Sequence, residues 1–122
     1  MIDETRPVFD RAAFEARTCR DRALQLEMVR MFLEDYPSHV AAIHAAVEAG
    51  DAGRLFAAAH TFKGVAVYLS APFLVDAAAG LETIGRGGTP REAAGPALAR
   101  LDRAVAELVS ELAKASRSPA EA

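Results

Sequence analysis

Hydrophobic positions recur along this chain at spacings of three and four, the interval that stacks side chains on one face of an α-helix. Leu24, Met28, Met31 and Phe32 mark a helix from about Arg20 to Tyr36, with a short leading helix around Val8, Phe9 and Phe14. Pro37 is expected to end or kink the longer helix, because an interior proline removes a hydrogen bond and crowds the preceding turn. Val40, Ile43 and Val47 define a further segment from Ser38 to Ala49, closed by Gly50 as a left-handed cap. Asp51 is placed to cap the next helix, on which Leu55, Ala58, Ala59, Phe62, Ala66 and Leu69 share one side.

Ser70-Ala71-Pro72 then makes a tight break, proline being tolerated in a first helical turn. The helix that follows buries Leu74, Ala77, Leu81 and Ile84 and runs out at about Arg86, in Gly85-Arg86-Gly87-Gly88. Thr89-Pro90-Arg91-Glu92 reads as a capping box, and Gly95-Pro96 forces a kink or restart. Leu98, Leu101, Val105, Leu108 and Leu112 form the apolar stripe of the last helix, and the small, polar tail from Ser116 (116–122) is expected to fray. No strand alternation, repeat or inter-domain linker interrupts this pattern. The elements predict one all-α domain over 1–122 with its core at about 14–115. Its expected form is an up-and-down antiparallel four-helix bundle with one or two short additional N-terminal helices. The break at 70–72 makes its two flanking helices an antiparallel hairpin, which sets Leu81 and Ile84 beside the helix that carries His60.

Composition narrows the function. A chain of 122 residues can bury a real core but cannot add a nucleotide-binding catalytic domain to a helical one. The net charge of −3, with dispersed arginines and no basic stripe interleaved with aromatics, argues against nucleic acid as a partner. The single Cys19 cannot close an intrachain disulfide, and no Cys/His spacing suggests zinc, so a reducing cytoplasm fits. Met1-Ile2-Asp3-Glu4-Thr5 is acidic and polar, unlike a signal peptide. The longest apolar stretch, Val65 to Ala79, is broken by Tyr68, Ser70, Pro72 and Asp76 and cannot span a bilayer. A cytoplasmic chain with no membrane association is expected. His39, His44 and His60 lack carboxylates at the inward-facing spacing of di-iron bundles, so no metal or bound cofactor is expected, and His39 and His44 are assigned to the surface.

Within this frame the run Ala57-Ala58-Ala59-His60-Thr61-Phe62-Lys63-Gly64 stands out, because the helical wheel sets His60 opposite the apolar face. The core has no use for this histidine. Lys63, three residues on, can screen negative charge at the imidazole, and Gly64, four residues on, removes a side chain that would obstruct a bulky approaching group. Phe56 and Val67 lie near the same meridian, so the imidazole sits in an apolar, small-residue strip, with Ala57 and Tyr68 beside it, where another protein can dock. This is how a phosphoryl-accepting histidine can be built; a solvated histidine beside an ordinary lysine is the plain alternative.

Ala59-His60-Thr61-Phe62-Lys63-Gly64, then Leu69-Ser70-Ala71, then Leu81-Glu82-Thr83-Ile84-Gly85-Arg86 resemble the signature of the histidine-containing phosphotransfer (HPt) domain family of multistep phosphorelays. The likeness in helix order and apolar placement runs from about Phe14 to Ala113, and its diagnostic part lies between His60 and Arg86. It implies that His60 accepts the phosphoryl group, Lys63 balances its charge and Gly64 gives clearance. It also implies that Glu82 hydrogen-bonds the other imidazole nitrogen and that Arg86 lies near the phosphate. Spacing alone equally allows a surface i,i+4 pair between Glu82 and Arg86, or an Arg86 that merely suits a helix C-terminus. Val65 departs from the family, which usually has Ser or another small residue there.

The implied partners are response-regulator receiver domains, which bring the aspartate, a Mg²⁺ ion and a lysine, and a sensor or hybrid histidine kinase. The chain itself would be a monomeric carrier that binds no cofactor and has no autokinase activity; if it is complete, a stand-alone relay protein is expected. Thr61, and the lack of a proline between His60 and Pro72, disagree with the dimerisation domain of sensor kinases. Two alternatives stay open: the phosphoacceptor domain of a chemotaxis-type kinase, and a non-catalytic adaptor bundle that binds a signalling partner through the Phe56/Val67 strip.

Overall fold

Aspartate side chains start the first three helices of the computed structural model, which describes residues 6–88 and 90–117. Asp10 accepts from the Ala13 N–H at 3.0 Å and opens α1 (Arg11–Arg17); Asp21 accepts from the Leu24 N–H at 3.1 Å and opens α2 (Arg22–Ala49). Cys19 and Arg20, at φ of 53° and 57°, make the left-handed turn between them. Gly50, at φ 66°, closes α2, and Asp51 accepts from the Arg54 N–H at 3.1 Å to open α3 (Ala52–Tyr68).

Pro37 lies inside α2 and does not end it, so the two segments expected on either side are one helix of 28 residues. Its ring is on the exposed side, where water can meet a carbonyl left without a donor. Phe32 before it and Ile43 and Val47 after it are buried in the same core. Burial of both halves outweighs the local cost of the proline.

Ser70, at φ 56°, turns the chain from α3 into α4 (Pro72–Gly87), which has Pro72 in its first turn and Gly88 as its left-handed cap. The N-terminal segment clamps this turn: the Asp10 N–H donates to the Ser70 carbonyl at 2.7 Å and the Phe73 N–H to the Pro7 carbonyl at 3.1 Å. Arg6 adds an ion pair to Asp76 at 3.1 Å. A short α5 (Pro90–Ala93) leads into α6 (Gly95–Arg117), which restarts with Pro96 in its first turn. Thr89 of the expected capping box lies outside the described residues, as do 118–122 of the expected tail. Ser116 and Arg117, where fraying was expected to begin, are helical.

The described residues form six helices and no strand. Helix α2 packs on α3 and α6, and α4 packs on the same two, so the four long helices close a ring. Phe62, Ile43, Leu55, Leu74, Leu81, Leu101, Leu108 and Leu112 fill its interior. The closest seam is between α3 and α4. A Cβ on Gly85 would stand 2.7 Å from the backbone nitrogen of Phe56 and 3.0 Å from its Cα, so only glycine lets the two backbones meet there. Gly85, read from sequence as the start of a helix end, is therefore a buried contact residue inside α4, which continues to Gly87. Among the described residues, no helix is long and apolar enough to cross a membrane.

Candidate functional site

The buried residues Leu55, Ala59, Phe62 and Ala66 fix the rotation of α3 about its axis and so turn His60 outward, its side chain 63% exposed. Leu74, Ala77, Ala78 and Leu81 do the same for α4 and bring Glu82 into the α3–α4 seam, where the residue is 5% exposed. The two helices thereby set a buried carboxylate against an exposed imidazole.

Glu82 uses both oxygens. Oε2 lies 2.5 Å from His60 Nδ1, and Oε1 accepts from Lys63 Nζ at 2.7 Å. An ionised carboxylate can only accept, so Nδ1 carries a proton, and in the neutral ring the lone pair is then on Nε2 at the far edge. The hydrogen bond from Lys63 is the main influence holding the Glu82 carboxyl below the ordinary value of 4.5. Burial opposes it, while the hydrogen bond from His60 and the charges of Lys63 and His60 add to it. The ammonium of Lys63 is thus engaged by Glu82, rather than held at the imidazole as the spacing suggested.

Gly64, one turn beyond His60, is exposed, and a Cβ there would meet nothing within 4 Å. Phe56, one turn before His60, is half-buried and stacks on the imidazole, with ring centroids 5.8 Å apart and planes within 12°. The Arg86 guanidinium lies over the other aromatic partner in this group, its carbon 5.1 Å from the Phe56 centroid. Glu82 turns to α3 and not to Arg86, so the i,i+4 surface pairing that spacing allowed is not made.

Ala57, Val67 and Tyr68 are exposed along the same helix. Tyr68 and half-buried Val65 border an apolar groove of about 260 Å³ between α2 and α3, shared with Met28, Met31 and Phe32. Ala57 and Thr61 border a wider cleft of about 400 Å³ with Ser38, His39 and Arg54. His39 and His44, assigned to the surface from sequence, are both half-buried. His39 stacks on Phe62 at 5.0 Å, and His44 Nε2 lies 2.9 Å from Asp102 Oδ1 on α6. Among the described residues, no group of three or more His, Cys, Asp or Glu side chains is placed to hold a metal ion.

Two contacts were not read from the sequence: the packing of Gly85 on α3, and the stack on His60 of Phe56, which was expected only as docking surface. Gly85 was signalled by its place on the apolar side of the helix beside Leu81, where a glycine permits close approach of another backbone. The stack of Phe56 on His60 was signalled by their i,i+4 spacing. Together the residues present an exposed nitrogen nucleophile, its tautomer fixed by a buried carboxylate, with open space along its helix.

A family model described as the Hpt domain matches residues 27–115, which takes in most of α2 and all of the site. The fold is similar to the crystal structure of the HPT domain from the Hpt sensor hybrid histidine kinase of Shewanella. That match covers 88% of this chain and 92% of the other, with a TM-score of 0.76 and 20% identity, and so speaks for the fold. None of the curated proteins compared with the chain matches it.

Proposed function

Starting from the chain's membership of the Hpt domain family, whose general role is histidine phosphotransfer in phosphorelays, we propose that His60 is its phosphoryl carrier. The donor is the aspartyl phosphate of a response-regulator receiver domain, itself charged by a sensor or hybrid histidine kinase, and the acceptor is a second receiver. The observation that supports this most is the hydrogen bond from His60 Nδ1 to buried Glu82, which leaves Nε2 free on an exposed ring.

Nε2 attacks phosphorus; an N–P bond forms as the P–O bond to the aspartate breaks, and the carboxylate leaves with the electron pair. The Nδ1 proton stays on the ring against Glu82, whose negative charge balances the cationic phosphoimidazole. The reverse sequence delivers the group to the next aspartate. Phosphoryl transfer depends chiefly on positioning and charge stabilisation. Here the chain contributes the oriented imidazole, the cations Lys63 and Arg86 and the clearance at Gly64, while the receiver contributes the aspartate, Mg²⁺ and a lysine.

Exposed Ala57, Val67 and Tyr68, with the Phe56 ring, supply the apolar surface on which the receiver sits. The same reading makes α2, α3, α4 and α6 an up-and-down antiparallel bundle, supported by the ring in which they pack. It makes the protein a monomeric carrier that binds no cofactor of its own, working in the cytoplasm where receivers and kinase catalytic domains meet.

The test is incubation with a phosphorylated receiver domain. An acid-labile, alkali-stable phosphate should appear on the chain and be absent from His60→Gln. That variant should melt within about 4 °C of the parent, since the side chain is largely in solvent. Absence of transfer from a broad panel of donors would refute the carrier and leave the adaptor bundle.

A further inference from the structure

We propose that Phe56 is a positioning residue for phosphoryl transfer: its ring, stacked on the imidazole and beneath the Arg86 guanidinium, holds the His60 plane and keeps Arg86 one ring away from it. This rests on the reading that His60 carries the phosphoryl group.

A hydrogen bond from Nδ1 to Glu82 fixes one atom of the imidazole. A ring held at one atom still pivots about it, and each swing moves Nε2 off the line of attack. A second aromatic ring within 12° of parallel removes that freedom. Phe56 can serve because its own backbone is pinned: its nitrogen and Cα lie against Gly85, where a Cβ would come within 2.7 Å and 3.0 Å. Arg86 follows Gly85 in the chain, so the close approach that pins Phe56 also delivers the guanidinium over its ring. One backbone contact thus organises three side chains.

The aromatic character matters apart from bulk. Attack through Nε2 with Nδ1 still protonated makes the imidazole cationic, and the face of a benzene ring attracts a cation, as it does the guanidinium. A leucine fills similar space and does neither.

The experiment compares the parent, Phe56→Leu and Phe56→Tyr with two phosphodonors, a phosphorylated receiver domain and phosphoramidate. Phosphoramidate gives its phosphoryl group directly: the N–P bond to Nε2 forms, the donor's P–N bond breaks and ammonia leaves. No docking surface is involved, so its rate reports on the imidazole alone. Phe56→Leu should slow labelling of His60 by phosphoramidate, and limiting transfer from saturating receiver, by about 3- to 10-fold, the scale of one aromatic contact. The receiver concentration at half-maximal rate should change by less than the limiting rate does, because Phe56 is only one part of the docking surface. Phe56→Tyr should restore most of the rate. The His60 ring protons should show an upfield ring-current shift in the parent and the tyrosine variant that disappears with leucine.

Equal limiting rates for parent and Phe56→Leu would overturn the proposal, as would a change confined to half-saturating receiver, which would make Phe56 a docking contact only. Thermal melts check each variant; if Phe56→Leu does not fold, Phe56→Met takes the same test with the same expected loss. Failure of the parent to label at His60 with either donor would refute the proposed function itself.

Discussion

Glu82 joins the His60 imidazole to the Lys63 ammonium through one carboxylate, and under the proposed function that double engagement governs both reactivity and pH response. Replacing it by glutamine keeps an acceptor for Nδ1–H but removes the charge that balances the phosphorylated ring. Transfer by Glu82→Gln should fall on the order of 10- to 100-fold, the range of one charged hydrogen bond, in single-turnover assays with a phosphorylated receiver. The folded-state value of Glu82 lies below the ordinary 4.5, so its contribution to stability is present above that value and lost as pH falls through the folded-state one. Urea unfolding at about pH 7 and about pH 3 should show a larger acid loss in the parent than in Glu82→Gln; equal losses would mean that the carboxylate is not held as described. The resemblance pointed to Glu82, but its spacing to Arg86 fits a surface pair equally well. What separates the two is the placement of α3 across the seam, which no local pattern encodes.

At the scale of elements, the α3–α4 pair carries two glycines with opposite surroundings, Gly85 in the seam and Gly64 in the open. Gly85→Ala puts a methyl group into the backbone of Phe56 and should cost about 1 to 3 kcal/mol in denaturant unfolding. Gly64→Ala meets open space and should stabilise α3 by roughly 0.5 to 1 kcal/mol. Gly64→Leu should fold as well as the parent yet transfer more slowly, because its bulk stands in the path of the donor; unimpaired transfer would remove Gly64 from the site. Helix ends were legible where a side chain or a special backbone angle makes them: Asp51, Gly50 and Pro72 all stand where expected. The helix end expected as one outcome at Pro37 does not occur, because the proline's local cost is visible in the sequence while the burial of Phe32, Ile43 and Val47 that offsets it is a property of the packed molecule.

Across the whole molecule, periodicity alone was enough for an all-helical chain and for the outward face of α3. The contacts that depend on distant partners were not legible: His44 with Asp102, His39 with Phe62, and the groove between α2 and α3. The proposed transfer turns on one atom: the ring of helices presents His60 with Nδ1 on Glu82, and on that proposal a docked receiver meets Nε2. The measurement that tests this most directly is ³¹P NMR, with ¹H–³¹P correlation, of the chain after transfer from a phosphorylated receiver domain. A single phosphoryl group on Nε2 of His60 is the predicted result; phosphorylation at Nδ1, or at any other residue, would contradict it.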